Sequence, residues 1–233
     1  MNFPKYKSEY TIRDHECDLN YNIRLTALWD IMQDCAYNHA GLLKFNHESM
    51  LKNGNFFALI RMSAKIKKYP KAGEKIIVET YPAGVHKLFC VRNYDVFDGS
   101  GEKLAEATSL WIIVDIKTSR PLRVNNAYPE QDIFKINYEG EIPAKLNADN
   151  EGEEVKRVAA EFCDIDVNNH VNNSRYINWL ENAIRPHNSP ISGLTVNYLS
   201  ETKLDEQLTI KKNDNIYTFV DEKGTPRFIA QIF

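Results

Sequence analysis

At 233 residues, with 43% apolar and 11% aromatic side chains, the chain is long enough to bury a substantial core in one large domain or two small ones. A formal net charge of −3 gives no global pull toward nucleic acid, so any basic contact surface has to be local. The opening Met1-Asn2-Phe3-Pro4-Lys5-Tyr6 lacks the apolar core of a signal peptide, and no apolar run is long enough to span a bilayer; a soluble, cytoplasmic protein without membrane association is expected.

Cys17, Cys35, Cys90 and Cys163 lie far apart with no Cys-x-x-Cys pair, which argues against metal-ligand spacing and against a disulfide framework. Each is expected to be a small, partly buried apolar residue.

Along the chain, residues 17 to 22 read Cys-Asp-Leu-Asn-Tyr-Asn and lead into a helical pattern of Leu25, Leu28, Trp29, Met32 and Cys35 running toward Leu43. Strand-like segments follow at 56–67, 75–81, 87–97 and 103–114, separated by Lys71-Ala72-Gly73 and Asp98-Gly99-Ser100-Gly101. The stretch from 125 to 153, rich in Pro, Asn, Asp and Glu, reads as a connector. Residues 163 to 168, Cys-Asp-Ile-Asp-Val-Asn, then echo the first motif and lead into a second helical pattern of Tyr176, Ile177, Leu180 and Ile184. Strand-like segments recur at 192–200, 207–212, 215–220 and 227–233. Each half thus reads as one long helix wrapped by a curved antiparallel sheet, an α+β arrangement of the hot-dog kind present twice. A constant offset of 146 between the halves sets Asn20 on Asp166, Asn22 on Asn168 and Arg24 on His170. On that alignment the first half lacks both the carboxylate and the imidazole.

Asp166, Asn168 and His170 stand at every second position, so an extended backbone would bring all three side chains to one face just before a helix. A carboxylate, a carboxamide and an imidazole grouped in this way suit the activation of water. Taken singly, each has an ordinary role: Asp166 or Asn172 as a helix cap, His170 as a hydrogen-bonded structural residue, Glu201 as a solvated charge.

The run 164 to 179, Asp-Ile-Asp-Val-Asn-Asn-His-Val-Asn-Asn-Ser-Arg-Tyr-Ile-Asn-Trp, resembles the signature of the acyl-carrier-protein thioesterases of plants and bacteria. Further resemblance lies in Phe57-Ala58-Leu59-Ile60-Arg61-Met62, Lys68-Tyr69-Pro70, Ala107-Thr108-Ser109-Leu110-Trp111 and Leu194-Thr195-Val196-Asn197-Tyr198, in that order. The resemblance implies a tandem hot-dog fold, with an acyl-binding domain at 1–130, a linker at 131–153 and a catalytic domain at 154–233. It implies hydrolysis of fatty acyl-carrier-protein thioesters to free fatty acid and holo-carrier protein, ending chain elongation. The partner is then an acyl carrier protein bearing a 4'-phosphopantetheine-linked acyl chain. No cofactor and no metal are expected, nor any nucleic acid or membrane partner, and the chain would be a monomer with an internal pseudo-dimer, or a homodimer. The family's catalytic positions fall on Asp166, Asn168, His170 and Glu201. Thr202 stands where plant members often carry a cysteine, which removes a thiol mechanism there, and the missing chloroplast-targeting sequence suggests a bacterial protein.

In the mechanism so implied, Asp166 is the main base and Glu201 assists, while Asn168 orients. His170 hydrogen-bonds the thioester or protonates the leaving thiolate, and the helix starting near Asn172 stabilises the oxyanion. Leu28, Met32, Leu59 and Trp111, with Leu25 and Phe56, are candidates to line the acyl chain, although such a stripe is also what a helix core requires. Lys65, Lys67, Lys68 and Lys71, or Arg120 with Arg123, could meet an acidic carrier. The rival readings are an acyl-CoA thioesterase of the same fold, a hot-dog hydratase or dehydratase, and a non-catalytic acyl sensor.

Overall fold

The structure, a computed structural model, describes residues 5–148, 151–184 and 191–233. The first half contains β1 (Tyr6–Thr11), α1 (Leu25–Leu42), α2 (His47–Lys52), β2 (Asn55–Ile66), β3 (Lys75–His86), β4 (Phe89–Asp98), β5 (Lys103–Asp115), β6 (Pro121–Leu122) and α3 (Val124–Ala127). The second contains β7 (Glu153–Ala159), α4 (Asn173–Ile184), β8 (Gly193–Tyr198), β9 (Gln207–Asn213), β10 (Ile216–Asp221) and β11 (Pro226–Ile232). The strands join in one sheet of order β1-β3-β4-β5-β2-β8-β11-β10-β9-β7, with β6 added beside β5. The order reads alike from either edge, since β1, β3, β4, β5 and β2 correspond to β7, β9, β10, β11 and β8. This is the tandem hot-dog arrangement expected.

The halves meet where β2 and β8 run antiparallel, Arg61 opposite Asn197 and Lys65 opposite Gly193. Ser63 and Thr195 face each other at the centre with hydroxyls 3.0 Å apart, marking the internal pseudo-twofold. Gly193 is required at this seam, because a Cβ there would stand 2.7 Å from the Ala64 carbonyl oxygen and 2.5 Å from the Phe233 ring.

Helix α1 buries Leu25, Leu28, Trp29, Met32 and Cys35 against the sheet, at the three- and four-residue spacing of one helical face. Lys44, at φ 62°, turns the chain out of the helix as Phe45 N–H closes on the Ala40 carbonyl. Helix α4 lies over Tyr198, Phe219 and Phe228, which pack around Tyr176 with ring centroids 5.0–6.3 Å apart. The two helices run antiparallel against each other, so that Glu181 on α4 reaches the start of α1.

The connector differs from a free linker. Ile133 and Phe134 are buried, Tyr138 N–H donates to the Val85 carbonyl, and Asn197 grips both Leu146 N–H (2.9 Å) and the Ala144 carbonyl (3.0 Å). Its polar composition hides a few apolar anchors and a backbone that hydrogen-bonds to the sheet. Residues 149 and 150 of this stretch lie outside the described residues.

Candidate active site

The polar run before α4 is a hairpin rather than an extended strand. A 3-10 turn at Phe162–Asp164 leads to the Ile165–Val171 bridge, inside which Asp166 N–H donates to the His170 carbonyl and Asn169 N–H to the Asp166 carbonyl, both at 3.0 Å. Asn169 turns the chain at φ 61°. Asp and Asn favour this because their side chains bind nearby backbone: Asp166 Oδ1 accepts from Asn168 N–H at 2.8 Å, and Asp166 Oδ2 from Asn168 Nδ2 at 3.3 Å. Alternation along a strand therefore does not assemble the site; a tight turn does.

His170 sits between two carboxylates. Its Nδ1 is 3.2 Å from the Val171 carbonyl and 3.9 Å from Asp166 Oδ1, and its Nε2 is 3.9 Å from Glu201 Oε1. Asp166 and His170 are about four-fifths shielded, with side chains 20% and 22% exposed, whereas Glu201 is 53% exposed. Asn168 is exposed and touches Asp166, not His170. The structure thus brings Asp166, His170 and Glu201 together and leaves Asn168 as the brace of Asp166.

Residues not singled out from the sequence hold the second carboxylate. Lys203 Nζ pairs with Glu201 Oε2 at 2.7 Å and also donates to the Asn169 carbonyl. Its hydrogen bond is the main reason that the Glu201 carboxyl lies below the usual glutamate range, opposed by burial and helped by His170. Arg227 Nη1 donates to the Glu201 carbonyl at 2.7 Å, and its Nη2 pairs with Asp221. Thr202 is fully buried; its carbonyl accepts from Val171 N–H and its hydroxyl from Tyr176 (2.8 Å), a buried bond worth about 1 kcal/mol. Position 202 therefore ties the Glu201 loop to the His170 hairpin. A lysine two residues after a candidate carboxylate was the available signal for Lys203; nothing local pointed to Arg227.

At the start of α4, Asn172 Oδ1 accepts from Ser174 N–H and from the Ser174 hydroxyl, so Asn172 is the cap. Asp164, buried and paired with Arg175 at 2.8 Å, accepts Asn172 N–H on its carbonyl.

The first half repeats this loop two residues away from the expected alignment. Leu25 begins α1 and Asn173 begins α4, an offset of 148. Asp18 N–H donates to the Asn22 carbonyl, Tyr21 N–H to the Asp18 carbonyl, and Asn20 N–H to Asp18 Oδ1, with Tyr21 at φ 63°. Asp18, Asn20 and Asn22 are thus the counterparts of Asp166, Asn168 and His170. The first half keeps the hairpin carboxylate and lacks the imidazole. Ile23 N–H donates to the Pro70 carbonyl as Val171 N–H does to that of Thr202, which sets Tyr69 in the place of Glu201.

Leu28, Met32 and Leu59 are buried between α1 and the sheet, and Trp111, opposite Leu59 on β5, packs on two apolar clusters with its indole N–H donated to Ser109. Of the basic clusters, Lys65 and Lys68 already pair with Glu141 and Glu102. All four cysteines are free thiols; Cys35 and Cys90 are buried, but Cys163 is exposed, contrary to expectation, because it lies on the outer turn before the hairpin. No helix among the described residues is long and apolar enough to cross a membrane.

The acyl-ACP thioesterase N-terminal domain matches residues 4–131, and the acyl-ACP thioesterase C-terminal domain matches residues 147–225. The chain belongs to the acyl-ACP thioesterase family. It is 28% identical over 220 residues to the chloroplastic palmitoyl-acyl carrier protein thioesterase of Gossypium hirsutum, covering 87% of this chain and 53% of that one. It is 23% identical over 245 residues to the chloroplastic oleoyl-acyl carrier protein thioesterase 1 of Arabidopsis thaliana, covering 94% and 65%. The chain spans about half the length of the first of these curated relatives. Among solved structures, its fold is similar to an acyl-ACP thioesterase from Bacteroides thetaiotaomicron (TM-score 0.86, 21% identity, 98% and 97% covered). It is also similar to the 12:0-ACP thioesterase from Umbellularia californica (TM-score 0.81, 21% identity, 100% and 97% covered).

Proposed function

We propose that the chain hydrolyses the thioester of fatty acyl-acyl carrier protein, releasing free fatty acid and holo-carrier protein. The observation that carries this is His170 held between Asp166 and Glu201 at the start of α4, in a chain of the acyl-ACP thioesterase family. Asp166 and the Val171 carbonyl lie on the Nδ1 side of the ring and favour a proton there, leaving the Nε2 lone pair toward Glu201. A separation of 3.9 Å between Nε2 and Oε1 suits one water donating a hydrogen to each, with its oxygen lone pair turned to the thioester carbon. Both Asp166 oxygens are engaged by Asn168, so Asp166 orients His170 and the His170–Glu201 pair activates the water, in place of Asp166 as principal base.

His170 takes one proton from water as the new C–O bond forms and returns it to the sulfur as the C–S bond breaks, leaving thiol and a carboxylic acid that releases its remaining proton to solvent. The acyl chain extends along Leu28, Met32, Leu59 and Trp111 in the first half, and residues 1–130 and 154–233 form the acyl-binding and hydrolytic domains. The partner is the acyl carrier protein with its 4'-phosphopantetheine arm. The test is turnover of one acyl group presented on carrier protein and on coenzyme A. A higher kcat/KM on the carrier is expected; a strong preference for the coenzyme A ester would overturn the carrier assignment, and products hydrated at a double bond without thiol release would overturn hydrolysis.

A further inference from the structure

The two long helices cap each other unequally. Glu181 on α4 accepts from Leu25 N–H (2.6 Å), Thr26 N–H (2.9 Å) and the Thr26 hydroxyl (2.5 Å), closing the positive end of α1 with a fixed negative charge. The offset of 148 that aligns the two loops pairs Glu181 with Gln33, Leu25 with Asn173 and Thr26 with Ser174. The chain therefore has a neutral amide where the twin position has a carboxylate, and the helix it serves is the one that begins beside His170.

The same offset, with the contacts of its neighbours on α1, sets Gln33 toward the start of α4. Asp30, one turn earlier on α1, approaches the Ser174 hydroxyl and the Arg175 guanidinium. Trp29, four residues before Gln33 on the same face, lies beside Tyr198, whose hydroxyl donates to the Asn173 carbonyl. Among the described residues, the Gln33 amide oxygen is buried without a hydrogen-bond partner. A buried polar atom in that condition calls for a water, an ion, a ligand or a catalytic step to use it. In the first turn of α4, Asn172 N–H goes to the Asp164 carbonyl, Ser174 N–H to the Asn172 side chain and Arg175 N–H to the Asn172 carbonyl. Among the described residues, Asn173 N–H meets no acceptor.

We propose that Gln33, contributed by the first half, and Asn173 N–H together receive the thioester carbonyl oxygen in the second half and stabilise the oxyanion. The assignment rests on the thioesterase reading and adds a catalytic residue to it. A half-turn of the amide brings either its oxygen or its NH2 to the same point. Two donors then converge as charge develops on the carbonyl oxygen, beside the positive end of α4. A carboxylate at position 33 would instead accept from Asn173 N–H and repel the oxyanion, closing α4 as Glu181 closes α1.

The experiment measures thermal melting and acyl-carrier-protein hydrolysis for the full chain carrying Gln33→Glu or Gln33→Met. Gln33→Glu is expected to hold or raise Tm while kcat falls roughly 100-fold with little change in KM. Gln33→Met keeps the shape and loses the donor; a kcat loss of about the same size at a near-unchanged Tm is expected. Stability and turnover moving in opposite directions in Gln33→Glu is a result that a purely structural role does not produce. Wild-type kcat in either variant overturns the assignment, and a lowered Tm for Gln33→Glu overturns the cap geometry beneath it. A wild-type chain without hydrolysis would count against the thioesterase reading instead, and the Gln33→Glu melt would still decide the cap.

Discussion

The hairpin at Asp18 and the hairpin at Asp166 share their backbone hydrogen bonds, their left-handed turn residue and their entry into a helix, yet only one sets an imidazole between two carboxylates. Asp18 and Asn20 reproduce Asp166 and Asn168, including the bond from amide N–H to carboxylate. The difference reduces to two positions. Asn22 replaces His170 and cannot move a proton at neutral pH, and Tyr69 replaces Glu201. The Tyr69 hydroxyl is donated to the Ile191 carbonyl at 2.9 Å, and burial raises its phenol well above the ordinary range. The fold supplies the scaffold twice; only one copy carries the imidazole and the second carboxylate on which the proposed hydrolysis rests.

The sharpest way to break this contrast is His170→Asn, which writes the first half's residue into the second. Because the hairpin holds Asn22 without distortion, the fold should persist with Tm nearly unchanged while kcat drops about 10³-fold, read by steady-state hydrolysis. Activity close to wild type would remove His170 from the chemistry. A smaller loss, roughly 10²-fold, is expected for Asp166→Asn, whose amide oxygen can still accept from Asn168 N–H but no longer favours the productive imidazole tautomer. Asp18→Asn should leave kcat as it is. Equal losses from the two substitutions would mean that the first hairpin is not idle.

The mildest test concerns the acid limb of the kcat/KM profile. Lys203 is the chief influence holding the Glu201 carboxyl below its usual range, so Lys203→Met should raise that value and move the limb to higher pH, with activity lost earlier on acidification. Lys71→Met, the same change beside Tyr69, should leave the profile in place.

Much of this architecture was legible because periodicity reports burial. Both long helices and the eight strands β2–β5 and β8–β11 stand out, and two of their hairpins close at Asp-x-x-Gly turns whose aspartates, Asp98 and Asp221, bind the backbone of their own loops. Strand β7 was harder, since Glu153–Ala159 is an edge strand with charges on both faces and no apolar alternation. The alignment slipped by two residues because the shared Cys-Asp pair attracts it. The true equivalence lies in which residue turns left-handed, and Tyr21 and Asn169 do not advertise that. Extension was expected where Asp166 and Asn168 fold onto backbone instead. Arg227 and Gln33 are not legible locally because their partners lie far away in the chain, whereas Lys203 acts on Glu201 only two residues before it.

The seam through Ser63 and Thr195 has a further consequence. In an assembly of two identical chains, any substitution appears on both sides of the axis, and a site built across that axis depends on concentration. Here both sides belong to one polypeptide, so the effective concentration of each half for the other does not fall on dilution. Glu181 and Gln33 could therefore become different residues at equivalent places, one sealing a helix and the other leaving it open, without either change being copied to its twin.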